Sequence, residues 1–403
     1  MTVTLVEDAA ALSALCRRIE DAERIALDTE FHNERSYAAR LMVVQLVVGD
    51  EVALIDPLQI PDLQPLAAVL APKIVVGHAL QSDLKIFADR FGRLPSAAFD
   101  TQLAAAFCGY GMSISLGDLV HDIAGIRLRK SHTVSDWGTR PLTPGQIEYL
   151  VDDVRFLFAL QDRLTERLRA TGRYDWFEAD AQPLVDLERY RTDPERLYLR
   201  IAGAMRMNRR ELGILRELAL LRDELARERN VPLKYIIPDD VMPAIVALRP
   251  KQRDDLSQLR RLEAGARKAF GDRIVAAVGA GLALDDAQLP HKPPRTGGAD
   301  REAIVACLAV LVNAIATEND LPPALLVTRG ALERVARESP STADEVARTL
   351  AVSDWREQLI AQPLFALLCG EIALSITGTS RGTPRVARVA GNGTQPTGGA
   401  LTS

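Results

Sequence analysis

The stretch Ile25-Ala26-Leu27-Asp28-Thr29-Glu30-Phe31 places two carboxylates inside an apolar run. Its apolar positions 25, 27 and 31, together with the β-branched Thr29, predict a short buried strand. Because side chains alternate along a strand, Asp28 and Glu30 project from the same face. Carboxylates in such a run are normally paired, hydrogen-bonded or bound to a cation. One hypothesis is therefore a divalent metal site, and the other is an edge strand with two solvated acids.

The composition bounds the class of protein. With 403 residues the chain is longer than one ordinary core supports, so we expect two or three domains. A hydrophobic fraction of 47% and a charged fraction of 26% indicate a globular protein and argue against disordered and fibrous classes. The net charge of -5 means that any nucleic-acid partner must be held by local basic patches rather than by the field of the whole molecule.

The cysteines and histidines argue against a zinc site and a disulfide framework. The four cysteines, at positions 16, 108, 307 and 369, form no CxxC pair, and the five histidines form no HExxH motif. No apolar run approaches the roughly 20 residues that a membrane span needs. These features predict a cytoplasmic location, with no membrane association and no obligate protein partner.

The periodicity predicts an α/β domain at the start of the chain. The predicted elements are a helix over 8–22, strands over 25–31, 41–48 and 52–55, a helix over 63–70 and a strand over 73–77. The turn-forming pair Gly49-Asp50 joins two of these strands into an antiparallel meander. The last strand runs into a helix whose first turn carries Asp83, and residues 100–168 are mostly helical in pattern. This order predicts a sheet with mixed pairing.

A third acidic element is Tyr149-Leu150-Val151-Asp152-Asp153, in a helix that Pro144 and Gly145 introduce. Tyr149 and Asp153 are four residues apart and share one helix face, whereas Asp152 points about 100° away. Only one of the two aspartates can therefore face inward with the tyrosine. The competing interpretation is a solvated Asp-Asp pair beside a core tyrosine.

Taken together, these elements resemble the DEDDy family of 3′→5′ exonucleases, whose fold is ribonuclease H-like. Further segments, 128–131 and 135–143, resemble the block that precedes the tyrosine motif in the ribonuclease D family, and the resemblance covers about residues 1–170. It implies two divalent cations, Mg²⁺ or Mn²⁺, held only by carboxylate oxygens. The implied metal ligands, which together with Tyr149 are the implied catalytic residues, are Asp28, Glu30, Asp83 and Asp153.

The resemblance also implies a role for each of these residues. Asp28 would bridge both ions, Glu30 and Asp153 would complete the site of the nucleophile's metal, and Asp83 would hold the second ion through water. Tyr149 would orient the attacking water, because a phenol with an ordinary pKa near 10 is protonated at neutral pH.

Two cations that flank the catalytic helix are candidate substrate-binding residues. Lys130 and Arg140 can contact phosphates, because the site must face a polyanion. The alternative for each is an ordinary solvated surface charge.

The rest of the chain is predicted to be helical. Residues 205–285 resemble an HRDC domain, and 299–376, after the Pro/Gly-rich linker 291–298, resemble a second, degenerate copy, so we expect two all-α HRDC-like domains. The first has a net positive charge and is the better RNA-binding candidate, while the second has a net negative charge and fits a spacer. Gly, Thr, Ser and Pro dominate residues 377–403, which predicts a disordered tail.

The function that the resemblance implies is a metal-dependent 3′→5′ exoribonuclease. It would trim the 3′ ends of structured RNA such as precursor tRNA and release nucleoside 5′-monophosphates. A DNA 3′→5′ exonuclease of the repair or proofreading type shares the same carboxylates, although proofreading domains usually lack paired helical units. A catalytically inactive RNA-binding scaffold is the third alternative, and the presence of all four carboxylates and the tyrosine argues against it.

Overall fold

The computed structural model describes residues 1–128, 136–291, 299–352, 355–377 and 385–391. The chain forms two compact units, each assembled from separate segments. The first comprises Met1–Ala98, Arg129–Arg155 and Gln182–Arg295, and the second comprises Phe99–Leu128, Phe156–Ala181 and Thr296–Ser403. Residues of the expected exonuclease region, 1–170, therefore contribute to both units.

A six-stranded mixed sheet organises the N-terminal region, as predicted. Its order is β1-β4-β3-β2-β5-β6. The strands are β1 (Thr2–Val6), β2 (Arg24–His32), β3 (Arg40–Val48), β4 (Glu51–Ile55), β5 (Ile74–Gly77) and β6 (Ala97–Asp100). The β2-β3 and β3-β4 pairs are antiparallel, and the β1-β4 and β2-β5 pairs are parallel. The sequence did not predict β1 or β6, because both are short and β1 is mostly exposed.

The register between β2 and β3 places a bulge beside the acidic pair. Asp28 lies opposite Gln45 and Glu30 lies opposite Val43, but the next residue of β2 lies opposite Leu41. Met42 is therefore an extra residue on β3, immediately after the pairing of Glu30. A bulge bends its strand and changes the direction of nearby side chains, and such features are frequent next to active sites.

Eight helices accompany these strands in the first 181 residues, among the residues that the structure describes. They are α1 (Ala9–Glu20), α2 (Gln64–Leu70), α3 (Gln81–Phe91), α4 (Thr101–Phe107), α5 (Leu116–Ala124), α6 (Pro144–Arg155), α7 (Leu157–Ala170) and α8 (Tyr174–Ala181). Helix α6 packs on β2, β3 and β4. Its start is closed by a capping box, in which Thr143 N donates to Gln146 Oε1 at 2.9 Å and Gln146 N donates to Thr143 Oγ1 at 3.3 Å.

A helical core follows the sheet. It contains α9 (Leu187–Tyr190), α10 (Arg209–Arg229), α11 (Leu233–Ile236), α12 (Val241–Leu248) and α13 (Ala264–Ala283), with short 3-10 turns between them. A capping box between Asn208 and Glu211 starts α10. Gly281 lets α13 approach α10, because a Cβ there would lie 2.4 Å from the Cα of Ile214. The two long helices therefore pack at backbone contact around a continuous apolar cluster.

The C-terminal region is helical but not entirely so. Its elements are α14 (Ala299–Glu318), α15 (Pro323–Leu326), α16 (Arg329–Glu338), α17 (Ala343–Leu350), α18 (Gln362–Leu368), β7 (Ile372–Thr377) and β8 (Arg385–Ala390). The antiparallel β7-β8 pair corrects two expectations, an all-α second domain and disorder at 385–390. The Gly- and Ser-rich composition around these strands hid their alternating side chains. The remaining tail residues, 378–384 and 392–403, lie outside the described ranges.

Aromatic and ionic contacts join the C-terminal helices to α8 within the second unit. The indole rings of Trp176 and Trp355 stack with centroids 4.7 Å apart and an interplanar angle of 9°. Arg356 forms an ion pair with Asp180 that uses both carboxylate oxygens. Residues after 299 therefore pack against α8 within this unit. Of the helices that the structure describes, none has the length and apolar character to cross a membrane.

Candidate active site

Three of the predicted site residues converge at one end of β2. Asp28 and Glu30 project from the same face of the strand, and Asp153 reaches them from α6. One carboxylate oxygen from each of the three lies within 4.8 Å of the other two. All three side chains are partly buried. The spacing within each element was readable in the sequence, and the packing of α6 on β2 brings the two elements together.

Tyr149 lies beside this cluster, one helical turn before Asp153. Its hydroxyl donates a hydrogen bond to the Asp153 carboxylate. The ring packs against buried Trp137, with ring centroids 5.7 Å apart. The prediction that Tyr149 and Asp153 share a face therefore agrees with the geometry.

Asp152 points away from the cluster, as helical geometry requires, but it is not solvated. Asp152 is 7% exposed, and its Oδ1 lies 2.7 Å from Arg155 Nη2. The competing interpretation of a solvated Asp-Asp pair is wrong for this residue, because its side chain is buried and paired with Arg155.

Asp83 approaches the cluster without joining it. It lies in the first turn of α3, is 5% exposed, and accepts a hydrogen bond from the hydroxyl of Thr29. Asp83 is not one of the three residues whose carboxylate oxygens lie within 4.8 Å of one another. The Asp83 charge nevertheless raises the pKa of both Asp28 and Glu30.

Burial and mutual repulsion raise the pKa values of the carboxylates in the cluster. Burial, followed by repulsion from Asp83, Asp153 and Glu30, raises the pKa of Asp28 well above its ordinary range. Burial and the charges of Asp153 and Asp83 raise the pKa of Glu30 to about 8. Burial raises the pKa of Asp153 to about 7, even though the hydrogen bond from Tyr149 favours the ionised form. Burial and the neighbouring carboxylates also raise the pKa of Tyr149, so its phenol is protonated at neutral pH.

A metal ion fits this arrangement. Among the described residues, no cation contributes to the pKa shifts of Asp28, Glu30 and Asp153, and a bound divalent cation would supply the positive charge that favours their ionised forms. The cluster offers only oxygen ligands, the donor type that Mg²⁺ and Mn²⁺ prefer. Among the described residues, no cysteine or histidine belongs to a cluster that could hold a metal ion.

The structure shows what Arg140 contacts within the protein. This side chain was a candidate phosphate contact, yet all five of its N–H donors are already used within the protein. It forms a two-pronged ion pair with buried Asp56. A phosphate that bound Arg140 would compete with these hydrogen bonds, so the side chain has a structural role within the protein. Lys130, the other candidate, lies outside the described residues.

Sequence reasoning missed three side chains near the site. Gln45 is fully buried on β3, opposite Asp28. The hydroxyl of Thr29 donates a hydrogen bond to Asp83, and Asp56 forms an ion pair with Arg140. The available signal was a polar residue inside or at the end of an apolar strand, as for Gln45 in Leu41–Val48 and Asp56 after β4.

Two family models match the chain. The one described as 3′-5′ exonuclease matches residues 3–169, and the one described as HRDC domain matches residues 211–278. Exonucleases of this fold depend on metal ions, which agrees with the acidic cluster.

Curated relatives and a solved structure agree with these matches. Ribonuclease D of Granulibacter bethesdensis is 35% identical over 381 residues, covering 93% of this chain and 95% of that protein. Ribonuclease D of Gluconacetobacter diazotrophicus is 36% identical over 382 residues, covering 94% and 95%. The crystal structure of Escherichia coli RNase D, described as an exoribonuclease involved in structured RNA processing, has a TM-score of 0.80 at 28% identity and covers 91% of this chain and 99% of that one. The chain therefore belongs to the ribonuclease D family and is a 3′→5′ exoribonuclease.

Proposed function

We propose that this protein trims the 3′ ends of structured RNA, including precursor tRNA, and releases nucleoside 5′-monophosphates with the help of two Mg²⁺ or Mn²⁺ ions. The observation that carries the proposal is the convergence of Asp28, Glu30 and Asp153 within 4.8 Å, beside a protonated tyrosine. The E. coli relative's described role in structured RNA processing supports the substrate class.

We assign the metal ligands as Asp28, Glu30, Asp83 and Asp153. When bound, the ions acidify the attacking water and offset the charge that develops on the phosphate and on the leaving 3′-oxygen. Asp28, on which the charges of Asp83, Asp153 and Glu30 all act, is the ligand that we assign to both ions. Asp83 already accepts a hydrogen bond from Thr29, so we assign it an indirect role through water.

Tyr149 positions the nucleophile in this proposal. Because its raised pKa keeps the phenol protonated, the hydroxyl can donate one hydrogen bond and accept another, but it cannot act as a base at neutral pH. Its bond to Asp153 and its packing on Trp137 hold the ring in one orientation. Both contacts are present in the protein alone, so the group is oriented before substrate arrives.

The test compares RNA with DNA. The protein is incubated with Mg²⁺ or Mn²⁺ and 5′-labelled RNA and DNA oligomers of one sequence, with and without a stem that ends in a 3′ overhang. We expect stepwise shortening of the RNA from its 3′ end and nucleoside 5′-monophosphates as products. Faster cleavage of DNA would favour the repair or proofreading alternative, and binding without cleavage in either metal would favour the inactive scaffold.

Replacing Tyr149 by phenylalanine removes the hydroxyl and keeps the ring. We expect kcat to fall by about 10²-fold with little change in KM, because the hydroxyl acts on the water and not on RNA affinity. Tyr110→Phe is the matched control, since that hydroxyl also bonds an aspartate, Asp122, but lies outside the cluster. Single-turnover rates at saturating RNA measure the effect, and an unchanged rate for Tyr149→Phe would assign the water to another group.

We further propose that residues 1–170 form the exonuclease domain, 205–285 an HRDC-like domain, and 299–376 a degenerate HRDC-like domain, with 377–403 as a tail that includes β8. The basic character of 205–285 supports RNA contact, and the acidic character of 299–376 opposes it. Deleting 299–403 is a poor test of this division, because it would expose Trp176 and leave Asp180 without Arg356.

Surface substitutions test the division without disturbing the core. Arg260→Ala with Lys268→Ala removes two exposed cations of 205–285, and Arg301→Ala with Arg348→Ala removes two exposed cations of 299–376. We expect the first pair to reduce the magnitude of the slope of log K against log salt for structured RNA by about 1 for each of the two cations that contacts a phosphate, because fewer counterions are released. The second pair should leave the slope unchanged. Equal slopes for the two double variants would contradict the proposed division.

A further inference from the structure

We propose that Arg140 is a positioning residue for hydrolysis: its guanidinium ties the bulge beside Glu30 to the segment that leads into α6, and so sets where Tyr149 and Asp153 lie relative to β2. The inference rests on the catalytic assignment of those residues made under Proposed function. Arg140 itself touches none of the carboxylates of the cluster in any contact that the structure gives, so it acts only through the elements that it joins.

The first observation is the complete use of one guanidinium. Arg140 Nε donates to Asp56 Oδ2 at 2.5 Å, and Nη2 donates to Asp56 Oδ1 at 2.9 Å and to the Met42 carbonyl at 2.8 Å. Nη1 donates to the carbonyls of Trp137 at 2.8 Å and Thr139 at 2.9 Å. These bonds account for all five donors of an arginine. Only a planar guanidinium group, with donors on three nitrogens, can reach all of these acceptors from one side chain.

The second observation is what lies on the strand side. Met42 is the extra residue of the β2-β3 bulge, so its carbonyl lies next to the pairing of Glu30 with Val43. Asp56 follows β4 and is itself anchored, because Leu58 N donates to its Oδ1 at 2.9 Å and its own N–H donates to the Val6 carbonyl at 2.9 Å. The guanidinium is therefore fastened to the rigid sheet where the strand bends beside the acidic pair.

The third observation is what lies on the helix side. Trp137, whose carbonyl accepts from Arg140, packs its ring against Tyr149. Three residues after Arg140, Thr143 begins the capping box of α6. A displacement of the segment 137–143 therefore moves both the ring that supports Tyr149 and the start of the helix that carries Asp153.

The burial of the pair makes this connection stiff. The side chains of Arg140 and Asp56 are 17% and 7% exposed, so the pair is shielded from solvent screening. Catalytic groups must be held within about 0.5 Å of the productive geometry, and a misplacement of about 1 Å can lower a rate by about 10²-fold. A residue that joins the two elements of the cluster is placed where small displacements affect chemistry most.

The experiment uses Arg140→Lys in the full-length protein, with Arg356→Lys as the matched control. Lysine keeps the charge but offers three donors from one atom. Arg356 forms a similar paired bond to Asp180, with side-chain exposures of 19% and 15%, and no contact given for it involves the carboxylate cluster. We expect Arg140→Lys to lower kcat at least 10-fold at saturating Mn²⁺ with KM within about twofold, and Arg356→Lys to lower stability without changing kcat per folded molecule.

Two further readouts separate positioning from a general structural role. Mn²⁺ binding by calorimetry should weaken at least threefold in Arg140→Lys and stay unchanged in Arg356→Lys, because only the former displaces Asp153. In a double-mutant cycle, Arg140→Lys should cost less in a Tyr149→Phe background than in the wild type, because the hydroxyl that it positions is already absent.

The outcomes are distinguishable from failure of the proposed function. If the wild type cleaves RNA and Asp153→Asn does not, the catalytic assignment stands whatever Arg140 does. Wild-type kcat in Arg140→Lys would overturn the inference and leave the catalytic assignment intact. The same would follow if Arg140→Lys lowered kcat by the same factor in the Tyr149→Phe background as in the wild type. If Arg140→Lys does not fold, Asp56→Asn takes its place, since it keeps the shape of the partner and removes the charge and one acceptor of the fork. Wild-type kcat in Asp56→Asn would likewise overturn the inference.

Discussion

Asp28→Asn is expected to lower kcat by at least about 10³-fold, or about 4 kcal/mol of transition-state stabilisation, in either Mg²⁺ or Mn²⁺. The charges of Asp83, Asp153 and Glu30 all act on Asp28, and it is the ligand that we assign to both ions, so its loss weakens both positions. Asparagine has nearly the same size, so β2 should keep its pairing and its packing. RNA affinity should change by less than about twofold, because this carboxylate repels the backbone and the basic surface lies elsewhere. A variant that retains more than about a tenth of the wild-type kcat would refute the assignment.

The same substitution, which lowers activity, should maintain or raise the thermal stability of the metal-free protein. Three partly buried carboxylates repel one another in the metal-free protein, and removing one charge relieves that repulsion. We therefore expect Asp28→Asn to have a Tm equal to or above that of the wild type in EDTA. Added Mn²⁺ should then raise the Tm of the wild type much more than that of the variant, because a ligand that binds the folded state stabilises it. Differential scanning fluorimetry with and without Mn²⁺ measures both shifts.

Asp153→Asn is expected to be as severe as Asp28→Asn. Asp153 is both a proposed metal ligand and the acceptor of the Tyr149 hydrogen bond, so the change removes a charge and alters the orientation of the phenol. An amide can still accept from Tyr149 through its oxygen, so the helix and the ring should remain in place. We expect kcat to fall by at least about 10³-fold, measured as initial rates of nucleoside 5′-monophosphate release.

Asp152→Asn is the internal control, one residue away on the same helix. Its side chain points away from Tyr149 and pairs with Arg155, whose side chain is 39% exposed, so the pair contributes about 1 kcal/mol or less. We expect kcat within about threefold of the wild type and a slightly lower Tm. If Asp152→Asn abolished activity and Asp153→Asn did not, the helical register assigned to α6 would be wrong.

Much of the fold and of the site was predictable, because short-range geometry determines it. Period-two alternation places Asp28 and Glu30 on one face, and the four-residue helical spacing places Tyr149 with Asp153. The helix α1, the strands β2 to β5 and the helix α10 follow from apolar periodicity and caps within their own segments. Strand β1 and the β7-β8 pair were missed, since each is stabilised by a partner distant in the chain or hidden by its composition.

The sequence by itself determined which face of each element the candidate site residues occupy, because that depends only on spacing along one strand or helix. Only the tertiary structure decided how those elements meet. The Asp83 carboxylate accepts a hydrogen bond from the Thr29 hydroxyl, and Arg140 links distant segments because Asp56 and the carbonyl of Met42 both lie within reach of its guanidinium. The helices after residue 299 share a core with α8, in which the ring of Trp355 stacks on that of Trp176. Contacts between distant segments depend on packing and burial in three dimensions, which no local pattern encodes.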